Sequence, residues 1–263
     1  MELAMPTWDA SQYLQFADER TRPCRDLIAR ISLKSPKRII DLGCGPGNST
    51  AVLAERWPDA EIVGLDNSSA MIDKARQAEP KRNWIVADIR TWARSNDAVF
   101  DLVFSNAAMQ WVDDHAETLP LLMKHVSSDG ALAIQMPCNY DAPAHALMRS
   151  LAASVSWRKY FPEQGVREWH VHDPSFYYDA LAFHARHLDL WETEYIHIMP
   201  NAEAIVEWYK GTGLRPFLDA LNSDDARRRF LADYLDLLRP AYPAHADGKV
   251  LFPFRRLFIV AYR

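Results

Sequence analysis

The sequence predicts an α/β fold: a doubly wound, mostly parallel seven-stranded sheet with helical insertions forming a cap over its binding crevice. Three observations predict it. Short apolar runs alternate with helical stretches from Arg38 to Met136, the pattern of parallel strands joined by crossover helices. A glycine-rich turn follows the first run directly, at Asp41 to Asn48, the place where such sheets hold nucleotides. After Pro137 the rhythm turns irregular and aromatic, then returns to strand-like patterns at Leu188 to Met199 and Leu251 to Tyr262.

Each element follows in order. Tyr13, Leu14, Phe16, Leu27 and Ile28 lie among charged residues and predict a helix, a break near Pro23, and a second helix with Pro23 in its first turn. Arg38 to Leu42 reads as a buried strand. Asn48, Ser49 and Thr50 offer N-caps for a helix carrying Val52, Leu53 and Trp57. Glu61 to Asp66 is the second strand, and Ser68 or Ser69 caps a helix carrying Met71, Ile72 and Ala75. Trp84 to Ala87, Phe100 to Phe104 and Gly130 to Met136 are further strands, with a helix from Asp113 to Val126 before the last. Beyond them, His145 to Trp157 and Phe176 to His187 read as helices, and Arg158 to Pro174 as a loop or short cap. Asn201 to Leu238 reads as helices broken at Gly211, Gly213 and Pro216. With no internal repeat or flexible linker in view, a single domain over 1–263 is expected. Its core covers about 30–140, 176–199 and 249–263; the cap comes from 1–29, about 141–175 and 200–248.

The 263 residues carry 30 Lys+Arg against 35 Asp+Glu, a net charge of -5. Half the residues are apolar and a quarter charged, which excludes a disordered chain or fibrous repeat. The acidic balance argues against nucleic-acid partners, which need a basic footprint, but leaves room for an anionic small molecule in a locally basic cleft. The run Arg227-Arg228-Arg229 follows Asp224-Asp225 and reads as a solvated helix face. Cys24, Cys44 and Cys138 form no C-x-x-C, so reduced thiols are expected. No secretory signal and no membrane-spanning run is read. A cytoplasmic location and no membrane partner are the expectations; oligomeric state stays open, with a monomer as the default.

The chemistry starts at Asp41-Leu42-Gly43-Cys44-Gly45-Pro46-Gly47-Asn48. Glycines admit positive φ and close approach by a ligand, and the following helix presents free N–H groups. The spacing is G-x-G-x-G rather than the dinucleotide G-x-G-x-x-G, and Asn48 stands where the third fingerprint glycine would be. A pyrophosphate would be repelled by Asp41, whereas a cationic amino-acid moiety would be welcomed. Asp66, with Asn67 after it, ends the second strand, where an acid accepts hydrogen bonds from ribose hydroxyls. Asp88 follows the third strand and suits an exocyclic amine, with Ile89 or Met71 packing on the ring. Asn106 and Gln110, in Asn106-Ala107-Ala108-Met109-Gln110-Trp111, complete the set.

This arrangement resembles the S-adenosylmethionine site of the Rossmann-like methyltransferases. The N-A-A-M-Q-W segment departs from the N-P-P-Y type of amide N-methyltransferases and is similar to the small-molecule class. Trp8 to Phe16, Glu19 to Pro23, Asp41 to Thr50, Gln135-Met136-Pro137, Thr212-Gly213-Leu214-Arg215-Pro216 and Arg256 to Ala261 narrow the resemblance to the bacterial trans-aconitate 2-methyltransferases, nearly end to end. It implies carboxyl methyl-ester formation on a tricarboxylate, with S-adenosyl-L-methionine consumed and S-adenosyl-L-homocysteine released. A methyltransferase for another small metabolite, a non-catalytic cofactor binder and a nicotinamide dehydrogenase remain the competing readings.

A tricarboxylate carries about three negative charges at neutral pH. Its reacting oxygen is already ionised, so no catalytic base is assigned, and the work is positioning. Arginines suit the non-reacting carboxylates through bidentate contacts. The candidates are Arg215, Arg20, Arg22, and Arg255 or Arg256; adjacent strand residues face opposite ways, so at most one of that pair faces the site. Tyr13, Trp111, Tyr195 and Tyr242 are the other substrate-side candidates, with packing as their competing role; Gln15 and His197 are weaker neutral donors. His170 and His172 lack a third ligand at proper spacing, and no metal is expected.

Overall fold

The computed structural model describes residues 17–95, 97–161 and 169–263. The described chain forms two compact units. One comprises Asp18–Cys138, Trp169–Thr193 and Arg255–Arg263; the other comprises, among the described residues, 17, 139–161 and 194–254.

The first unit is built on the sheet. Strands β1 (Arg38–Leu42), β2 (Glu61–Asp66), β3 (Asn83–Val86), β4 (Phe100–Asn106), β5 (Val126–Pro137), β6 (His187–Met199) and β7 (Val250–Tyr262) give the order β3-β2-β1-β4-β5-β7-β6. β6 and β7 run on into the second unit. Pairs β1–β2, β1–β4, β2–β3 and β4–β5 are parallel and β5–β7 is antiparallel. The sheet is therefore mostly parallel, as the alternating pattern predicts. Strand β1 is buried on both faces after its first residue, which is why it reads as a continuous apolar run. Ile40, Leu42, Val63, Leu65, Val103, Leu132, Ile134, Leu257 and Ile259 join one core.

Helices α1 (Ala17–Arg30), α2 (Asn48–Arg56), α3 (Ser69–Ala78), α4 (Ile89–Ser95), α5 (His115–Lys124) and, later in the chain, α7 (Pro174–Leu181) belong with the sheet. Two of them differ from expectation. α1 is one helix with Pro23 inside it, not two pieces. Proline removes one N–H and strains the preceding turn, but the ring is buried beside Cys24, Leu27 and Ile28, which offsets the loss. From Asp18 onward α1 belongs to the sheet unit. Ser32 N donates to Tyr262 Oη at 2.8 Å and Arg30 pairs with Asp189 at 2.9 Å, fixing its exit to β7 and β6. α4, one short helix, has too few turns to show a helical period in sequence.

The second unit holds α6 (Pro143–Ala153), α8 (Ala202–Lys210), α9 (Arg215–Ala220) and α10 (Asp224–Ala241). Trp208, Tyr209, Phe230, Tyr234, Leu238 and Phe252 are buried in it. Asn201 and Ser223 cap α8 and α10 by accepting from Ala204 N and Ala226 N. The breaks at Gly211 and Gly213 fall where expected. Pro216 does not break a helix; it sits in the first turn of α9, where its missing N–H costs nothing. Among the described residues, no helix is long and apolar enough to cross a membrane.

Candidate active site

The glycine turn is set by backbone geometry at the carboxyl ends of β1 and β2. Gly43, Gly45 and Gly47 all have positive φ, at 74°, 55° and 97°. Gly43 N and Cys44 N both donate to Leu65 O, at 2.7 and 3.0 Å, holding the loop over β2. A Cβ on Gly43 would lie 2.1 Å from Ala108 Cβ, whereas one on Gly45 would meet nothing within 4 Å. Gly43 is thus needed for packing, and the open side of the loop is at Gly45. Gly47 serves as the α2 N-cap without a side-chain bond. The hydroxyls expected to cap α2 turn inward instead: Ser49 Oγ and Thr50 Oγ1 donate to Asp41 Oδ2 at 2.6 and 2.7 Å.

Asp41 is fully buried, and burial outweighs those two hydroxyls to push its carboxyl up to about 6. Its Oδ1 has no hydrogen-bond partner. Asp66 accepts from Gly45 N through Oδ2 at 2.9 Å and from Ser68 N through Oδ1 at 2.8 Å. Burial still holds its carboxyl above the ordinary value. Asn48 and Asn67 are exposed beside the loop, and Met71 and Ile89 are buried.

Asp88 does local work as well. Its Oδ1 accepts from Arg90 N and Thr91 N, at 3.1 and 3.0 Å, capping α4. Asp88→Ala should therefore cost about 1 kcal/mol and lower the unfolding midpoint by about 2–4 °C with no ligand present. A ligand-free melt unchanged from wild type would remove the capping role.

At the end of β4, Ala107 takes positive φ, 55°, a strained conformation of the kind that clusters at functional sites. Gln110 Nε2 donates to the Ala107 carbonyl at 2.8 Å, tying its amide to the turn. His170 N donates to Gln110 O at 2.8 Å. Buried His115 holds the same turn, with Nε2 2.9 Å from Met109 O and Nδ1 3.0 Å from Tyr177 Oη. Trp111 is half-buried, edge-on to Trp169 at 6.0 Å. His172 stacks on Phe176, and no metal-holding group of His, Cys, Asp or Glu gathers among the described residues.

A cationic, amine-bearing adenosyl ligand fits this crevice on one observation. Asp41 Oδ1, Asn106 Oδ1 and Gln110 Oε1 are buried acceptors with no partner. Such atoms are costly unless a ligand brings donors.

The substrate-side candidates are dispersed. Tyr13 lies outside the described residues, with the rest of the Trp8-to-Phe16 segment. Arg20 lies on α1, and Arg22 is exposed there. Arg255 is exposed, donates to Cys138 O at 3.2 Å and pairs with Glu192 at 3.9 Å. In the helical unit, Arg215 pairs with Asp219 at 3.1 Å. Tyr195 is buried and stacked on His197, and Tyr242 Oη accepts from Ala144 N at 3.1 Å. Gly213, beside Arg215, packs close to His145 and Tyr209, where a Cβ would meet their rings at 3.0 and 3.1 Å. Sequence reasoning missed Ser49 and Thr50 as supports of Asp41; two hydroxyl residues just after the glycine loop were the available signal.

The methyltransferase domain family matches residues 16–216. The trans-aconitate 2-methyltransferase of Azoarcus sp. (strain BH72) is 52% identical over 263 residues, covering 98% of this chain and 100% of its own. The enzyme of that name from Rhodopseudomonas palustris (strain BisB5) is 46% identical over 257 residues, covering 98% of this chain and 99% of its own. Among solved structures, a putative methyltransferase of Haloferax volcanii in complex with its Trm112 activator superposes with a TM-score of 0.59 at 16% identity, covering 99% of each chain. The Haemonchus contortus phosphoethanolamine N-methyltransferase 2, in complex with S-adenosyl-L-methionine, gives 0.56 at 14% identity, covering 95% of this chain and 56% of that one. The two structures establish the fold alone; with the family match and near-full-length relatives at 46–52% identity, this chain belongs to the methyltransferase domain family and, within it, to the trans-aconitate 2-methyltransferases.

Proposed function

We infer that this chain is an S-adenosylmethionine-dependent carboxyl O-methyltransferase that converts trans-aconitate to its monomethyl ester, releasing S-adenosylhomocysteine. The observation that carries the reading is the near-complete, 52% identical match to a relative of that name, on a chain whose crevice residues suit the cofactor. When bound, S-adenosylmethionine supplies an electrophilic methyl group on a sulfonium. The residues of this chain bind and orient. Asp66, at the end of β2, offers its carboxylate to the ribose hydroxyls while Gly45 N and Ser68 N hold it in place. Asp88 takes the adenine amine and Ile89 packs on the ring. Asp41 Oδ1, Asn106 Oδ1 and Gln110 Oε1 accept from the amino-acid end and the acceptor side. Gly43, Gly47, Asn48, Asn67 and Met71 complete the cradle.

The attacking carboxylate is ionised at neutral pH, so no side chain needs to take its proton. Rate then comes from holding nucleophile and methyl in line. Strong pairing to the reacting oxygen would stabilise the ground state and slow the step. Arginine contacts belong on the spectator carboxylates. Arg215, Arg20, Arg22 and one of Arg255 and Arg256, with Tyr13, Trp111, Tyr195 and Tyr242, are the candidates for that role. Arg215 must exchange or share its present carboxylate, Asp219. The cytoplasm is the compartment in which this reading places the enzyme.

Incubation with methyl-labelled cofactor and trans-aconitate, beside cis-aconitate and citrate, tests the reading. A base-labile labelled ester, formed fastest from trans-aconitate, is the expected result. Bound S-adenosylhomocysteine with no ester from any polycarboxylate overturns it.

A further inference from the structure

One face of the sheet carries polar side chains that step across four strands. The register sets Asp41 beside Phe104, Phe104 beside Ala133, Asn106 beside Gln135, Gln135 beside Phe258, and Pro137 beside Arg256. Paired residues share a face, as do residues two apart on a strand. Asp41, Asn106, Gln135 and Arg256 therefore project from one face, moving from the cofactor loop across the end of β4 to β7. Gln135 also receives Ala107 N on its carbonyl at 2.8 Å, so it is tied to the strained turn after β4.

Arg256 is 5% exposed and Gln135 0%. Arg256 Nη1 donates to Gln135 Oε1 at 3.4 Å, a long contact to a neutral acceptor. The other end of that amide, Gln135 Nε2, is buried with no hydrogen-bond partner. A guanidinium and an amide NH₂ thus lie side by side in a dry place. Both are donors, and the group that would satisfy the amide while strengthening the arginine contact is a carboxylate. A buried guanidinium gains most from such an anion because little water screens the pair. Arg255, one residue earlier, faces the other way, exposed and paired with Glu192.

We propose that Arg256 and Gln135 hold one spectator carboxylate of the polycarboxylate substrate, which makes Arg256 a specificity-determining residue. This rests on the carboxyl-methylation reading above. The clamp sits beside the Asn106–Ala107 turn and sets which carboxylate is left to react there. It also separates substrates by the number of carboxylates they carry.

The test is steady-state kinetics with trans-aconitate and with a dicarboxylate such as fumarate, together with S-adenosylhomocysteine affinity and thermal midpoint. Wild type is compared with Arg256→Gln, Arg256→Lys and Gln135→Glu. Arg256→Gln should raise KM for trans-aconitate about tenfold, the scale of one charge-assisted contact, with a smaller effect on fumarate and unchanged cofactor affinity. Arg256→Lys should recover part of the loss. Gln135→Glu places a carboxylate where the substrate's would lie; it should raise KM for trans-aconitate like Arg256→Gln. If Arg256→Gln fails to fold, Gln135→Glu decides. Wild-type KM in both variants overturns the proposal, as does an equal loss on both substrates accompanied by weakened cofactor binding. A wild-type enzyme that esterifies no polycarboxylate overturns the parent reading and this one with it, before any variant is made.

Discussion

Gly43→Ala should lower the unfolding midpoint by about 5–15 °C, from two costs of different origin. The first is conformational. Gly43 has φ 74°, and an L-residue in the left-handed region costs about 1–2 kcal/mol. The second is steric. The new Cβ would stand 2.1 Å from Ala108 Cβ, far inside contact distance, and forcing a methyl into a packed site costs about 1–3 kcal/mol. Neither partner yields easily: Gly43 N is fixed to Leu65 O at 2.7 Å, and Ala108 follows Ala107, whose N is fixed to Gln135 O at 2.8 Å. Because the clash joins the glycine loop to the β4 turn, cofactor affinity should fall with stability. The double variant Gly43→Ala/Ala108→Gly separates the costs. Removing the Ala108 methyl should restore the steric part and leave the conformational part, which a cycle of four melts measures. A single variant as stable as wild type, or a double variant no better than the single, contradicts this account.

The same contact marks where reading the sequence stopped short. Glycines at alternate positions after an apolar strand identify a nucleotide crevice, since local chain order alone brings that loop to the sheet's edge. The positions of Asp66 and Asp88 at strand ends were legible for the same reason: each ends a strand or follows one, and parallel order places all such ends on one side. The Ala108 methyl lies 65 residues beyond Gly43, and no period or spacing announces their meeting. The Gln135–Arg256 pair spans 121 residues and depends on antiparallel register between β5 and β7, which a strand's own residues do not encode. α1 shows the converse limit. Pro23 is a sound local signal for a break, and tertiary burial overrides it.

Asp41→Asn should weaken S-adenosylhomocysteine binding by about 10- to 100-fold at pH 7, the range for one hydrogen bond to a charged group, and should abolish a pH dependence that wild type shows. The carboxyl of Asp41 is pushed up to about 6 by burial, from an ordinary 3.8. Its folded value is raised, so the native state holds a proton that the unfolded chain has released between those limits. Stability from this group is therefore full below about pH 4 and is lost as pH rises through 6, on the order of 3 kcal/mol in all. At neutral pH the ligand-free protein carries a buried carboxylate whose Oδ1 has no partner. An ammonium placed beside it would lower its pKa, so binding must expel a proton wherever Asp41 is protonated. Affinity should then tighten about tenfold from pH 5 to pH 7, with proton release near pH 5.5 measurable by calorimetry in buffers of different ionisation enthalpy. In Asp41→Asn the proton release should vanish while Ser49 and Thr50 keep an oxygen to bond. A wild-type affinity flat over this range, or a slope that survives in Asp41→Asn, would detach Asp41 from the amino-acid end of the ligand and leave it only the anchoring of α2.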